Sequence, residues 1–451
     1  MIPIKTYQDL EQVKNSGEQL AKFLLEVITD HKMSELYRTA EQAVLYDQRR
    51  NPTIEKFQKI LYTLSGKAVP DTFRANHKLK SNFFNRFVTH ENQYLLGNGV
   101  TLGEEENKAK LGRNFDVRLQ EAGQAALVQG LSFGFWNLDH LEVFQLMEFA
   151  PLWDEETGQL RAGVRFWQLD SDRPLRVTLY EEDGCTEYIK RKGDSLPQVK
   201  QEKRGYKQTV LSTAADGVID TINENHSRLP IVPLYGNPHH QSELVGMQEA
   251  IDCYDLIKSG FANDLDQASM IYWVLKNSGG MDDVDLAKFL ERMKTVGAAA
   301  LDSDEENSVE AHTLDVPYQS RTAYLEKLRN DLYDDAQALN ISQLSGGSKT
   351  ATEINAAYEA LDLKTTLFEY QVLDFLEGIF ALAGIEDNAT FKRSRIVNQL
   401  EETQMVMLAA EHLDEETLLN KLSWLTPEEV SNILENKAGE SLNRFGAGAE
   451  V

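Results

Sequence analysis

Only two cysteines, Cys185 and Cys253, occur in 451 residues, and they lie far apart. That excludes a disulfide framework and a cysteine-rich metal site, and it suits a reducing cytoplasm. No apolar run approaches the roughly 18 residues needed to cross a bilayer, so no membrane partner is expected. The first fifteen residues lack a basic segment followed by an apolar one, so no secretory signal is expected. Positive charge is also scarce: 46 Lys and Arg face 72 Asp and Glu, a formal net charge of −26. A protein built to grip phosphate would be basic, because its affinity comes from displaced counterions. An acidic surface instead keeps a chain soluble and repels DNA. There is no nucleophile elbow, no HExxH and no Ser/His/Asp pattern.

Three motifs invite a chemical reading, and each falls short. Ser345-Gly-Gly-Ser-Lys-Thr350 resembles a phosphate loop, but Ser348 precedes the lysine and Gln343 stands where the first glycine belongs. The plain reading is a hinge feeding a helix. Asp302 to Asn307 resembles a calcium loop, yet Asn307 replaces the glycine at position six and Thr313 the glutamate at position twelve. His239-His240 has no third ligand at helical spacing. No cofactor and no metal are therefore expected, and no catalytic residue is named.

The apolar content, 41%, is enough for substantial cores, and the length suggests two or more packed units. Residues 9–31 and 33–46 read as helices. A further helix should begin near Phe73, with Leu79, Phe83 and Phe87 on one face, and end at Gly97-Asn98-Gly99; residues 109–132 should form the next. From 142 to 191 the period falls to two, and turn residues at 154–158 and 181–184 mark an antiparallel meander. Residues 192–226 read as loop or edge strand, and 229–235 as extended.

The second half has a distinctive order. A helix over 242–268 carries Leu244, Met247, Ile251, Tyr254, Ile257, Phe261 and Leu265 at steps of three and four. A compact insert follows, with strands at 271–275, 298–301 and 308–315 and a helix at 283–294. A return helix spans 321–339. After a glycine-rich loop comes the longest helix, 349–383, with one apolar seam from Ile354 to Leu382. Such a helix spans on the order of 50 Å and needs neighbours along its length. Residues 398–436 read as helical with a break at Pro427. The fold class expected is α+β, mainly helical.

This order, together with its local wording, resembles the portal proteins of long-tailed phages of Gram-positive bacteria. Asn76-His-Lys-Leu-Lys-Ser-Asn-Phe-Phe84 with Tyr94-Leu-Leu-Gly97 is similar to the family's early helix and its ending. Ala162-Gly-Val-Arg-Phe-Trp167 and Tyr180-Glu-Glu-Asp-Gly184 resemble its wing strands. Leu229-Pro-Ile-Val-Pro233 and Ala250-Ile-Asp-Cys-Tyr-Asp-Leu-Ile257 resemble its approach to the stem, and Lys349-Thr-Ala-Thr-Glu-Ile-Asn-Ala356 the start of its tunnel helix.

The resemblance implies a portal fold assembled as a ring of about twelve subunits. Residues 1–241 would be wing, 242–268 and 321–340 stem, 269–320 clip, 341–349 tunnel loop, 350–397 tunnel helix and return to the wing, and 398–451 crown. It implies a virion component at a capsid vertex, assembled in the host cytoplasm, through which double-stranded DNA is packaged and ejected. Its partners would be the terminase large subunit, the head-completion adaptor, and the major capsid and scaffolding proteins. The alternative is another ring-forming connector or scaffold protein of a virion or prophage without DNA passage; a nucleic-acid-processing enzyme ranks third.

Three residue sets follow as expectations. Gln343, Leu344, Ser345, Gly346, Gly347, Ser348 and Lys349 would face DNA from the tunnel loop. Asp252, Asp255, Asp264, Asp266, Glu353 and Glu359 would line an acidic channel, since residues 242–268 carry six acids against one base and so do 350–383. Trp273, Lys276, Asp283, Lys288, Asp304 and Glu305 would meet partners at the clip.

Overall fold

The computed structural model describes residues 5–62, 66–71, 75–213, 219–268, 272–276, 288, 291, 308–312, 318–344, 351–395, 399–410, 412–422, 425, 429–434 and 436–437. The chain divides into two compact units, one of residues 1–48, 84–246 and 333–451, the other of 49–83 and 247–332.

The core of the first unit is a five-stranded antiparallel sheet. Strands Phe149–Trp153, Leu160–Trp167, Leu175–Glu181, Gly184–Lys190 and Gln198–Arg204 lie side by side in sequence order; the meander expected over 142–191 holds from Leu160 to Lys190, but its first strand is Phe149–Trp153, and the expected strand near 143 pairs in another sheet. One face packs Ala162, Val164, Val177 and Leu179 against Leu10, Phe23, Leu24 and Val27 of the first two helices, Tyr7–Val13 and Gly17–Met33. The opposite face meets a three-stranded sheet of Ile231–Tyr235, Leu131–Asn137 and His140–Gln145, where Phe133, Phe135, Phe144 and Phe149 interlock with Tyr180. Side chains of successive strand residues point to opposite faces, so a strand between two cores is apolar on both. Leu131–Asn137 is such a strand: its first six residues are all buried.

Behind this second sheet pack helices Phe115–Gln129 and Ala351–Ala383. The latter has 33 residues. Its apolar seam is buried as its periodicity demands, with Tyr358, Leu361, Phe368, Val372, Phe375 and Ile379 each 2% exposed or less. Gly134 makes room for one of them. A Cβ there would lie 2.5 Å from Cζ of Phe375. Gly384, at φ +68°, ends the helix in a left-handed turn that glycine adopts at little cost.

In the second unit, helices Gln248–Ala268 and Tyr318–Asp335 flank a strand pair, Tyr272–Lys276 with Ser308–His312. A second hairpin pairs Ile60–Tyr62 with Ala68–Pro70. The helix at 283–294 has only Lys288 and Glu291 among the described residues, and the strand at 298–301 lies outside them.

Several sequence expectations are corrected. The helix expected from Phe73 begins only at Phe83, and Leu79 lies in an extended segment. The single helix expected over 109–132 is two, Glu105–Lys110 and Phe115–Gln129, separated at Gly112 and closed at Gly130, both at positive φ. The helix expected from 242 starts at Gln248, after Gly246 at φ +88°. The stretch 192–226, expected as loop or edge strand, supplies the edge strand Gln198–Arg204 of the five-stranded sheet and, beyond it, the pair Lys207–Thr213 with Ile219–Glu224. The glycine-rich loop is preceded by a helical turn, Ile341–Leu344.

Candidate functional site

Helix Gln248–Ala268 has an unusual polar stripe. Asp255, Ser259 and Asn263, four residues apart, are 0–1% exposed. They face the extended segment 77–81, which runs antiparallel to the helix. The Ser81 N–H donates to Asp255 Oδ1 at 2.8 Å, the Leu79 N–H to Ser259 Oγ at 3.0 Å, and the His77 N–H to Asn263 Oδ1 at 2.6 Å. The spacings match: four helical residues rise about 6 Å and two extended residues about 6.6 Å. The helix thus serves as the partner of a strand, and the N–H groups of His77, Leu79 and Ser81 find acceptors without a sheet. This is why the segment is not helical, and why residues 49–83 group with 247–332.

The clamp also occupies the acids expected to line a channel. Asp255 is 0% exposed and accepts a further bond from Asn51 Nδ2 at 2.9 Å, so it is not a surface carboxylate of this chain. Burial pushes its pKa up, against the lowering effect of the hydrogen bonds from Asn51 and Ser81. Asp252 accepts from Asn51 Nδ2 and Thr53 Oγ1, each at 2.8 Å. Asp264 pairs with Arg321, and Asp266 with the His77 ring. Glu353 and Glu359 are exposed on the long helix.

Of the expected loop residues, Gln343 and Leu344 close the helical turn Ile341–Leu344, while Ser345, Gly346, Gly347, Ser348 and Lys349 lie outside the described residues. At the clip, Trp273 and Lys276 stand in the strand pair opposite Ala311 and Ser308. Lys288 is exposed and helical. Asp283, Asp304 and Glu305 lie outside the described residues. Among the described residues no group of three or more His, Cys, Asp or Glu is placed to hold a metal ion, and no helix is long and apolar enough to cross a membrane.

Two ionic centres on the long helix were not legible in the sequence. Lys364 Nζ lies 2.8 Å from Glu91 and 2.7 Å from Glu243, with the three side chains 15%, 3% and 14% exposed. Burial, reinforced by Glu243 and opposed by Lys364, pushes the Glu91 pKa up to about 7. Burial would lower the Lys364 pKa, but the two carboxylates outweigh it and raise it. Two residues back along the helix, Asp362 receives the Tyr94 hydroxyl at 2.6 Å and Arg393 Nη1 at 2.8 Å, and pairs with Arg395. Arg393 also reaches Glu369 at 2.8 Å. Burial would raise the Asp362 pKa, yet these donors hold it below the usual carboxylate range. Both centres fasten the long helix to the helix Phe83–Leu96, and the second also ties down the return segment 393–395. The arrangement fixes a rod in place; it presents no reactive constellation.

Comparison with known proteins is consistent with a structural part. The profile of the phage portal protein family, SPP1 Gp6-like, matches residues 25–441. The portal protein of Bacillus phage SPP1 is 22% identical over 389 residues, covering 80% of this chain and 72% of that protein. The portal protein of Clostridium phage phiCD119 is 25% identical over 222 residues, covering 48% of this chain, so the match spans about half, 49%, of that relative's length. A chain from the virion of a native gene transfer agent particle has a TM-score of 0.41 at 12% identity, over 74% of this chain and 88% of that one. With the family profile running from the second helix to beyond the last described residue, the chain belongs to the phage portal protein family.

Proposed function

We propose that the chain is the repeating subunit of a portal ring of about twelve copies at one capsid vertex of a tailed phage. Double-stranded DNA enters and leaves the capsid through its channel. The observation that carries this reading is the family match over 25–441, which includes the helix, strand pair, helix order of 248–335 and the 33-residue helix after it. Residues 1–241 serve as wing, 242–268 and 321–340 as stem, 269–320 as clip, 341–349 as tunnel loop, 350–397 as tunnel helix and return, and 398–451 as crown. The clip, through Trp273, Lys276, Asp283, Lys288, Asp304 and Glu305, meets the terminase large subunit and then the head-completion adaptor. The wing meets the major capsid and scaffolding proteins. Assembly takes place in the host cytoplasm, and the chain carries out no covalent chemistry.

The net charge of −26 supports the channel reading. A wall of like charge lets a polyphosphate slide, whereas a dense Lys/Arg wall would hold it. Asp255 being buried and Asp264 paired with Arg321, the charge available to a wall comes from the partly exposed Asp252 and Asp266 and from Glu353 and Glu359. The loop Gln343 to Lys349 touches the DNA backbone loosely.

Negative-stain electron microscopy of the purified chain tests the ring: turbine-shaped particles with a central hole support it, and a closed dimer or tetramer refutes it. Deleting Gly346 and Gly347 should impair DNA packaging in a capsid assembly assay while rings still form; unchanged packaging refutes the loop's role. Rings that never take up DNA in that assay would favour the connector or scaffold alternative.

A further inference from the structure

The second unit holds a concave apolar surface and a convex one, and neither is covered by the described residues. The concave surface is a groove of about 520 Å³ along helices Gln248–Ala268 and Tyr318–Asp335, walled by Leu256, Ile257 and Tyr324. Leu256 is 42% exposed and Tyr324 47%. On its floor lies Gly260. A glycine in mid-helix weakens the helix relative to alanine, and it is normally explained by a neighbour that leaves no room for a Cβ. Here a Cβ at Gly260 would meet nothing within 4 Å. Among the described residues nothing fills the space this glycine leaves, and that space opens into the groove.

The convex surface is the hairpin Ile60–Tyr62 with Ala68–Pro70. Ile60 stands opposite Pro70 and Tyr62 opposite Ala68, so the four side chains share one face of the ribbon. That face is apolar and exposed: Ile60 is 57% accessible and Tyr62 75%. A two-stranded ribbon has little stability alone and needs something to pack its apolar face against.

We propose that the hairpin face of one copy, led by Tyr62, seats over Gly260 in the groove of a second copy. The inference rests on the ring reading above and names one of its contacts. Four features select a second copy. The knob and the groove are both apolar, and both occur on the same chain. They are different patches, so their contact is heterologous, the type that repeats around a ring. Of the two cations that line the groove, Lys59 and Arg321, Arg321 is paired with Asp264, so a single lysine is left to attract phosphate. The groove volume falls in the range that accepts a group the size of an aromatic side chain with its neighbour.

The test uses the full chain. Gly260→Leu fills the groove with a good helix former at a position with free space, so the protomer should keep its helical circular dichroism and its Tm. Its association, followed by sedimentation velocity and native mass, should weaken about 10- to 100-fold per contact, the loss expected when one large apolar side chain goes unburied. Tyr62→Ser should weaken it similarly, and a photo-crosslinking phenylalanine derivative at position 62 should form intermolecular adducts mapping to residues 256–260 or 324. If the wild type assembles and both substitutions assemble equally well, or if the adducts map elsewhere, this contact is refuted while the ring reading stands. If the wild type stays monomeric at every concentration, with and without capsid and scaffolding proteins, the ring reading fails and takes the contact with it.

Discussion

Replacing Lys364 by methionine keeps the length of the side chain and removes the charge between Glu91 and Glu243. Those carboxylates are 3% and 14% exposed, and each lies within 2.8 Å of the ammonium. Breaking a buried ion pair by removing one partner costs about 3–5 kcal/mol, because the remaining charge is left uncompensated. Here two like charges remain. The cost depends on pH. Glu91 has its folded pKa raised from 4.5 to about 7, so between those values the folded state binds more protons than the unfolded one. The stability this group contributes is full below about pH 4.5 and falls as pH rises to about 7. A shift of that size corresponds to roughly 3 kcal/mol across the window. Without Lys364 the lowering influence is gone, so the window should extend upward. Lys364→Met should therefore lose less stability at pH 5, where Glu91 is protonated in the folded state, than at pH 8, where the loss should reach about 3–5 kcal/mol. Thermal and urea melts at pH 5, 6, 7 and 8 measure this. A loss that is the same at every pH, or no loss at pH 8, would refute the assignment of Lys364 as the group that compensates two buried carboxylates.

Asp255→Ala should leave the Ser81 N–H without its acceptor and release the segment 77–81; a cost of about 1–3 kcal/mol and faster hydrogen exchange at Leu79 and Ser81 are expected, and unchanged exchange would contradict the clamp. Tyr94→Phe removes the hydroxyl between Asp362 and Arg395, at 2.6 and 2.8 Å, and should lower stability by about 1–2 kcal/mol without altering helix content; a neutral result would mean that the two arginines satisfy Asp362 alone.

The long helix, the order helix, strand pair, helix over 248–335 and the strands between 160 and 190 were legible because each depends on local physics. A period of three to four over 354–382 can be satisfied only by burying that seam, and the structure buries Tyr358, Leu361, Phe368, Val372 and Phe375 as the spacing requires. Gly384 and Gly130 end helices for reasons internal to the backbone. Strand Leu131–Asn137 escaped because it lies between two apolar layers. A strand buried on both faces has no alternation, and its composition continues that of the helix before it.

The acidic helix 248–268 shows what a list of charges leaves out. Six acids against one base over 242–268 suggested a wall of free carboxylates. Whether a carboxylate faces a channel or a backbone N–H is decided by what the fold brings beside it. Here residues 77–81, some 180 positions away in sequence, turn Asp255, Ser259 and Asn263 into acceptors for an unpaired strand. The same holds for Lys364: the sequence places it as one base among six acids over 350–383, and only the packing of three distant segments makes it the counter-charge of Glu91 and Glu243. Periodicity is a property of neighbours along the chain and can be read there. Ion pairs and hydrogen bonds between remote residues are made by burial, where an unpaired charge or N–H is costly, so only the tertiary structure decides them.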